Sequence, residues 1–314
     1  MSIWTDINAS LGITMPVFFL VLLGLFFRHI GVIREPFAQG LNRFVFQVAL
    51  PVSIFNQLSQ AEFFSIWDSK FLALCFLVTA GQILLSLFLS RAIKTKESRG
   101  EFIQASYRSS TALLGVAYLQ QAYGNASAGA LMMLGCVPLY NIAAVILLEG
   151  KKMSDGEGYK KMLRDIVTNP IILSIPIGFC FSFFRIPMPV LVDRTVSSVA
   201  GLATPGGLLA MGAGINLRKL GKSARIIFSA SVLKLVVYPA LALPLAMGLG
   251  YTGDKLMAIL IMTGSATTVA AYTMAKSLGS DGEISAGAVM LTTLLSAITL
   301  TLWILLLQRP LLHA

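Results

Sequence analysis

Five long, largely apolar stretches constrain this chain more than any other feature: 11–27, 71–90, 126–148, 226–251 and 284–307, the fourth with one lysine inside it. Several reach the roughly 20 residues that a helix needs to cross about 30 Å of hydrocarbon. Backbone groups in lipid must be satisfied within their own segment, so runs of this length are expected to be helices rather than strands. Only 12% of the 314 residues are charged, where a soluble domain carries about 25%. The expected class is an all-α, multi-pass membrane protein. The opening "MSIWTDINAS" carries Asp6 and no basic residue before the first apolar run, which argues against a cleaved signal. Cys75, Cys136 and Cys180 fall in apolar segments and imply no disulfide framework. The two histidines, His29 and His313, stand far apart, so neither a metal nor a cofactor is expected.

Ten crossings account for the pattern: 11–28, 41–60, 70–90, 102–123, 126–148, 168–184, 195–217, 226–250, 255–275 and 284–307. Lys and Arg accumulate in cytoplasmic loops, and their distribution tests the count. With both termini outside a plasma or inner membrane, 17 of the 24 basic residues fall inside and 5 outside, with Arg108 and Lys234 left within spans. The net charge of +10 is therefore explained by anionic lipid at the bilayer surface and calls for no nucleic acid.

The chain repeats itself. "SAGALM" at 127–132 opens the fifth crossing, and "SAGAVM" at 285–290 opens the tenth. "VALPVSIF" in the second crossing matches "LATPGGLL" in the seventh, aligning Pro51 with Pro205. "YLQQAYG" and "YTMAKSLG" close the fourth and ninth. These matches divide the chain into a first five-helix unit over 1–150, a connecting loop over 151–165 and a second unit over 166–314. Five is odd, so the second unit is expected to lie inverted in the bilayer. That is an architecture of secondary transporters, which hold solute near the midplane between interrupted helices.

The least hydrophobic parts of the spans mark a candidate site. Ser106 to Thr111 in the fourth crossing includes Arg108, Ser109, Ser110 and Thr111, and the ninth carries Thr263, Gly264, Ser265, Thr267 and Thr268. Hydroxyls and glycine suit helices that unwind mid-span, where a following half-helix offers its positive end to a carboxylate. Small residues that let helices pack closely produce the same composition. Arg108 either clamps a carboxylate through its planar fork or snorkels to the cytoplasmic interface. Lys234 either balances substrate charge or takes part in proton coupling, or else serves a neighbouring helix through a hydrogen bond. No Asp or Glu lies deep in a crossing, and Gln47, Asn56, Gln82, Asn141 and Asn216 are the other polar candidates. No catalytic set is visible, so an enzyme is not expected.

The stretches 41–55, 107–124, 138–149, 168–178, 208–217 and 292–307 resemble the auxin efflux carrier family, which includes bacterial malate and malonate permeases. The resemblance implies ten helices in an inverted repeat, with the fourth and ninth broken and crossing at the site. It further implies a scaffold of helices 1, 2, 6 and 7, through which members commonly form homodimers, and elevator-like access. The expected substrate is a small organic anion, a mono- or dicarboxylate, with protons or sodium as candidate coupling ions. Plant members tend to have an acidic residue in the third helix where this span offers Cys75 and Gln82, so their coupling does not carry over. This chain departs from the family pattern in having Ser110 where many members have Asn, and Ala117 and Ala266 where proline marks the breaks, which leaves unwinding to Gly115, Gly264 and the hydroxyls. A bile-acid/sodium symporter-like carrier and a non-transporting sensor are the alternatives.

Overall fold

A computed structural model describes residues 3–60, 67–111, 119, 123, 127–149, 164, 167–215 and 217–311. Gly115, Ala117, Asn216 and most of the loop expected at 151–165 lie outside the described residues. The described residues form helices and no strand, with a single isolated bridge between Ser109 and Thr267.

In chain order the helices are α1 (Ile3–His29), α2 (Glu35–Phe44), α3 (Leu50–Ser59), α4 (Ser69–Ser90), α5 (Lys96–Tyr107), α6 (Ser127–Glu149), α7 (Pro170–Phe183) and α8 (Val190–Gly201). They continue as α9 (Ala203–Gly214), α10 (Leu217–Lys222), α11 (Ala224–Val232), α12 (Tyr238–Gly248), α13 (Gly253–Gly264), α14 (Ala270–Ser277) and α15 (Glu283–Leu311). Each of the ten expected segments carries helix. Five stretches are long and apolar enough to cross a membrane: Ser69–Ser90, Ser127–Leu148, Val190–Gly214, Ala224–Gly248 and Glu283–Leu307. Large apolar side chains stand exposed along these helices, among them Leu84, Leu191, Leu241 and Ile298, as suits a surface facing lipid.

Two π-helical turns, Val45–Ala49 and Leu233–Val237, join α2 to α3 and α11 to α12. Each stops two residues before a proline, Pro51 and Pro239. Proline lacks an N–H and its ring crowds the carbonyl four residues back. A widened turn accommodates the ring without breaking the helix. The carbonyl that Pro239 leaves without a helical partner belongs to Leu235, and the indole of Trp303 on α15 donates to it at 2.9 Å.

The helices approach closely where glycine permits it. A Cβ on Gly212 of α9 would collide with the backbone oxygen of Val21 on α1, and one on Gly24 would collide with that of Leu209. Arg28, in the last turn of α1, donates to the Ala213 carbonyl at 3.2 Å near the end of α9 and pairs with Glu35 at 2.5 Å. Gly287 in the repeated "SAGAVM" serves the same end, since a side chain there would strike Ile227 of α11. Across the bundle, Asp68 caps α4 by accepting from the amides of Lys70 and Phe71, each at 3.0 Å, and pairs with Lys255 at the start of α13 at 2.6 Å. The hydrogen bond from Lys255, with that from the Phe71 amide, holds the Asp68 carboxyl below the ordinary carboxylate range.

Gly212→Ala forces backbone against backbone, and overpacking of this kind costs about 1–3 kcal/mol; the melting temperature in detergent falls by several degrees. Gly81→Ala, where a Cβ meets nothing within 4 Å, leaves it unchanged or slightly raised. Because the Asp68 pKa is depressed on folding, its contribution is present above the unfolded carboxylate pKa of about 4 and is lost as pH falls through the folded value. The Asp68→Asn variant therefore shows a flatter melting profile than wild type below about pH 4.

Candidate functional site

The fourth and ninth expected crossings are interrupted. Helix α5 ends at Tyr107, and Arg108 turns extended with φ −76° and ψ 123°. Helix α13 ends at Gly264, and Ser265 does the same with φ −78° and ψ 165°. The two extended segments pass antiparallel, joined by the bridge between Ser109 and Thr267 and by the Ser110 amide donating to the Ala266 carbonyl at 3.0 Å. The break at Ala266 forms without a proline. Instead Pro239 of α12 lies where a Gly264 side chain would be, its Cγ 2.7 Å from the position of a Cβ.

A helix that stops inside a bundle leaves carbonyls without partners, and three of them, those of Ala105, Tyr107 and Met262, accept from specific side chains. The Thr267 hydroxyl donates to the Ala105 carbonyl of α5 at 2.8 Å. The Met262 carbonyl of α13 accepts from the Tyr140 hydroxyl of α6 at 3.2 Å and from the Ser109 hydroxyl. Lys234, on the second π-helical turn and fully buried, donates to the Tyr107 carbonyl at 3.1 Å, to the Met262 carbonyl at 3.4 Å and to the Ser109 hydroxyl. One ammonium therefore sits between the negative ends of two half-helices, each worth about half an elementary charge.

Arg108 does not reach the interface, so snorkelling is overturned: the residue is 4% exposed. Its guanidinium donates to the Asn141 side-chain oxygen at 2.6 Å and the Tyr140 carbonyl at 3.3 Å, with the Met274 sulfur at 3.1 Å. Its Nε has no partner, and among the described residues no carboxylate pairs with it. The alternation of Arg108 and Ser109 along an extended strand turns the guanidinium toward α6 while Ser109 turns toward Lys234, since successive side chains point to opposite faces.

A cavity of about 80 Å³ opens at the crossing. Arg108, Ser109, Ser110, Thr111 and Thr268 line it, as does the first turn of α14, whose N-terminus carries positive partial charge. At the ~30 Å³ that a water takes up in the liquid, it has room for about three water molecules. Gly264, Ser265, Thr267 and Lys234 do not line it. The counter-charge expected of Lys234 is thus directed at backbone carbonyls, Thr267 serves the α5 terminus, and Gly264 serves packing. Ser265 is buried with an unpartnered hydroxyl.

Sequence reasoning missed Tyr140 as well as Ser53 and Gln57 of α3 and Thr204 of α9, all of which line the cavity. The matched prolines Pro51 and Pro205 were the available signal, because Ser53 and Thr204 flank them. Glu101 is buried at 4% and accepts from the amides of Gly282 and Ser285 at 3.0 and 3.1 Å. A buried carboxylate at the α15 N-terminus is stabilised by those donors and by the helix dipole.

Comparison with known proteins identifies this fold's kin. A protein of Methanothermobacter thermautotrophicus named "Uncharacterized transporter" is 24% identical over 296 residues, covering 92% of this chain and 95% of that protein. One of Rhizobium meliloti named "Putative malonate transporter" is 25% identical over 304 residues, covering 92% of this chain and 93% of that one. Residues 11–304 match the family described as membrane transport protein. With an all-helical body, apolar helices long enough to span a bilayer and a family match over nearly its whole length, the chain belongs to this membrane transport family, that of the auxin efflux carriers.

Proposed function

We propose that this protein is a secondary transporter of a small organic anion, a mono- or dicarboxylate, bound where the two interrupted helices cross. The observation that carries the proposal is Arg108: a buried guanidinium with a free Nε, no acidic partner among the described residues and a place on the cavity wall. A buried charge is costly unless paired, and a carboxylate accepting from this fork while resting on the α14 N-terminus supplies the pair. Ser109, Ser110, Thr111 and Thr268 contribute hydroxyls around it. The name of the Rhizobium meliloti relative is consistent with a dicarboxylate of malonate's size.

In this reading the chain forms ten crossings in two inverted five-helix repeats, over 1–150 and 166–314, with both termini outside the cell membrane. The first, second, sixth and seventh crossings form a scaffold and the dimer contact, and the crossing pair moves against it as an elevator between two access states. Lys234 is a positioning residue: it holds the two half-helix ends together, and Ser109 with them. Protons or sodium drive the cycle.

The first test is uptake of labelled malonate, malate and indole-acetate into liposomes holding the purified protein, with and without a pH gradient. Saturable uptake of one acid is expected; no uptake of any, from folded protein, overturns the reading. The Arg108→Gln variant removes charge-assisted hydrogen bonds worth about 1.5–3 kcal/mol, so anion affinity falls roughly 10- to 100-fold. Unchanged affinity would remove Arg108 from the site. Lys234→Met instead strands buried carbonyls at about 1–3 kcal/mol and lowers the melting temperature by several degrees. A wild-type melting temperature with loss of pH-dependent uptake would return Lys234 to the transport chemistry itself.

A further inference from the structure

At the end of the bundle where α4 runs out, a second cavity of about 760 Å³ lies between the C-terminal turn of α4, the start of α5 and α11. It is nearly ten times the volume of the cavity at the crossing, and its character is different. Its walls are apolar, with Leu89, Phe102, Phe228 and Val232 among them, and two cations, Lys94 and Arg225, stand in its lining. Phe102 is buried at 3%, whereas Phe228 is 59% exposed on the flank that continues the apolar outer surface. Both cations are exposed, and neither pairs with a carboxylate among the described residues.

We propose that this groove is a binding site for an anionic phospholipid, its acyl chain against Leu89, Phe102, Phe228 and Val232 and its phosphate between Lys94 and Arg225. Charge complementarity selects the occupant. A small anion would leave most of the apolar wall bare, and a purely apolar molecule would leave the two cations without a partner. A phospholipid satisfies both, and basic pockets at the ends of membrane helices bind such headgroups. The volume lies within the 300–1,000 Å³ typical of ligand sites. The lipid would lie along α5 and α11, and so beside the helix whose far end carries Arg108. The site does not depend on the transport reading, only on residence in a membrane.

Native mass spectrometry of the full chain in detergent, titrated with phosphatidylglycerol or phosphatidylcholine of identical acyl chains, tests it. Phosphatidylglycerol is expected to remain bound in preference. The double variant Lys94→Gln, Arg225→Gln lowers that preference by roughly 30-fold, the contribution of two cations at a membrane surface. Val232→Trp, which fills the groove and leaves the cations in place, lowers retention of both lipids. Equal binding of the two lipids by wild type overturns the proposal, as does undiminished phosphatidylglycerol retention by the double variant. Binding of glycerol phosphate as tight as that of the whole lipid would also overturn it, by showing an anion site with no role for the acyl groove.

Discussion

Lys234 and the two half-helix ends it bridges are the interaction on which the rest of this structure depends. Interrupting a helix inside a membrane protein exposes carbonyls that neither water nor a neighbouring turn can satisfy. Here the same interruption occurs twice at one point in space, so one ammonium serves Tyr107 and Met262 together. Thr267 donates to the Ala105 carbonyl and Tyr140 to that of Met262. The crossing is therefore more than a gap between helices. It is a hydrogen-bonded junction in which the side chains of Lys234, Thr267 and Tyr140 meet carbonyls of α5 and α13, with the Ser265 hydroxyl and the Arg108 Nε left without partners.

That accounting separates two cations that look alike in sequence. Both stand in apolar spans, and both are buried. Lys234 faces backbone carbonyls, a fixed and neutral set of acceptors that suits a compact ammonium. Arg108 faces an amide, a carbonyl and a thioether, with part of its fork unused. The difference between them is that the fold meets Lys234 with acceptors on two helix ends, whereas the Arg108 Nε has none.

The prolines act at a second level. Pro51 and Pro239 each follow a π-helical turn. The turn before Pro239 sets the facing of Lys234, and Pro239 itself occupies the space that Gly264 concedes. At the break after Gly264 a proline on the adjacent helix packs against the chain. That break has Ala266 in it and a tertiary contact, that of Pro239, beside it.

The helical class, the membrane setting and the position of the polar runs were legible in the sequence, because hydropathy over 20 residues and the scarcity of charge are local properties. Arg108, Ser109, Ser110, Thr111 and Thr268 stand out for the same reason: hydroxyls and a cation are conspicuous in an apolar span. What Lys234, Thr267, Gly264 and Glu101 do was not legible. Their partners lie across the bundle, and a residue's type does not say which orphaned carbonyl, proline ring or helix end it will meet. Tyr140, Gln57 and Thr204 reach the cavity only because their helices pack beside the crossing. The sequence alone thus determined where the long apolar helices and the polar runs lie, because both are local properties; tertiary packing alone decided which polar groups are consumed in holding the two helix ends together and which face the cavity.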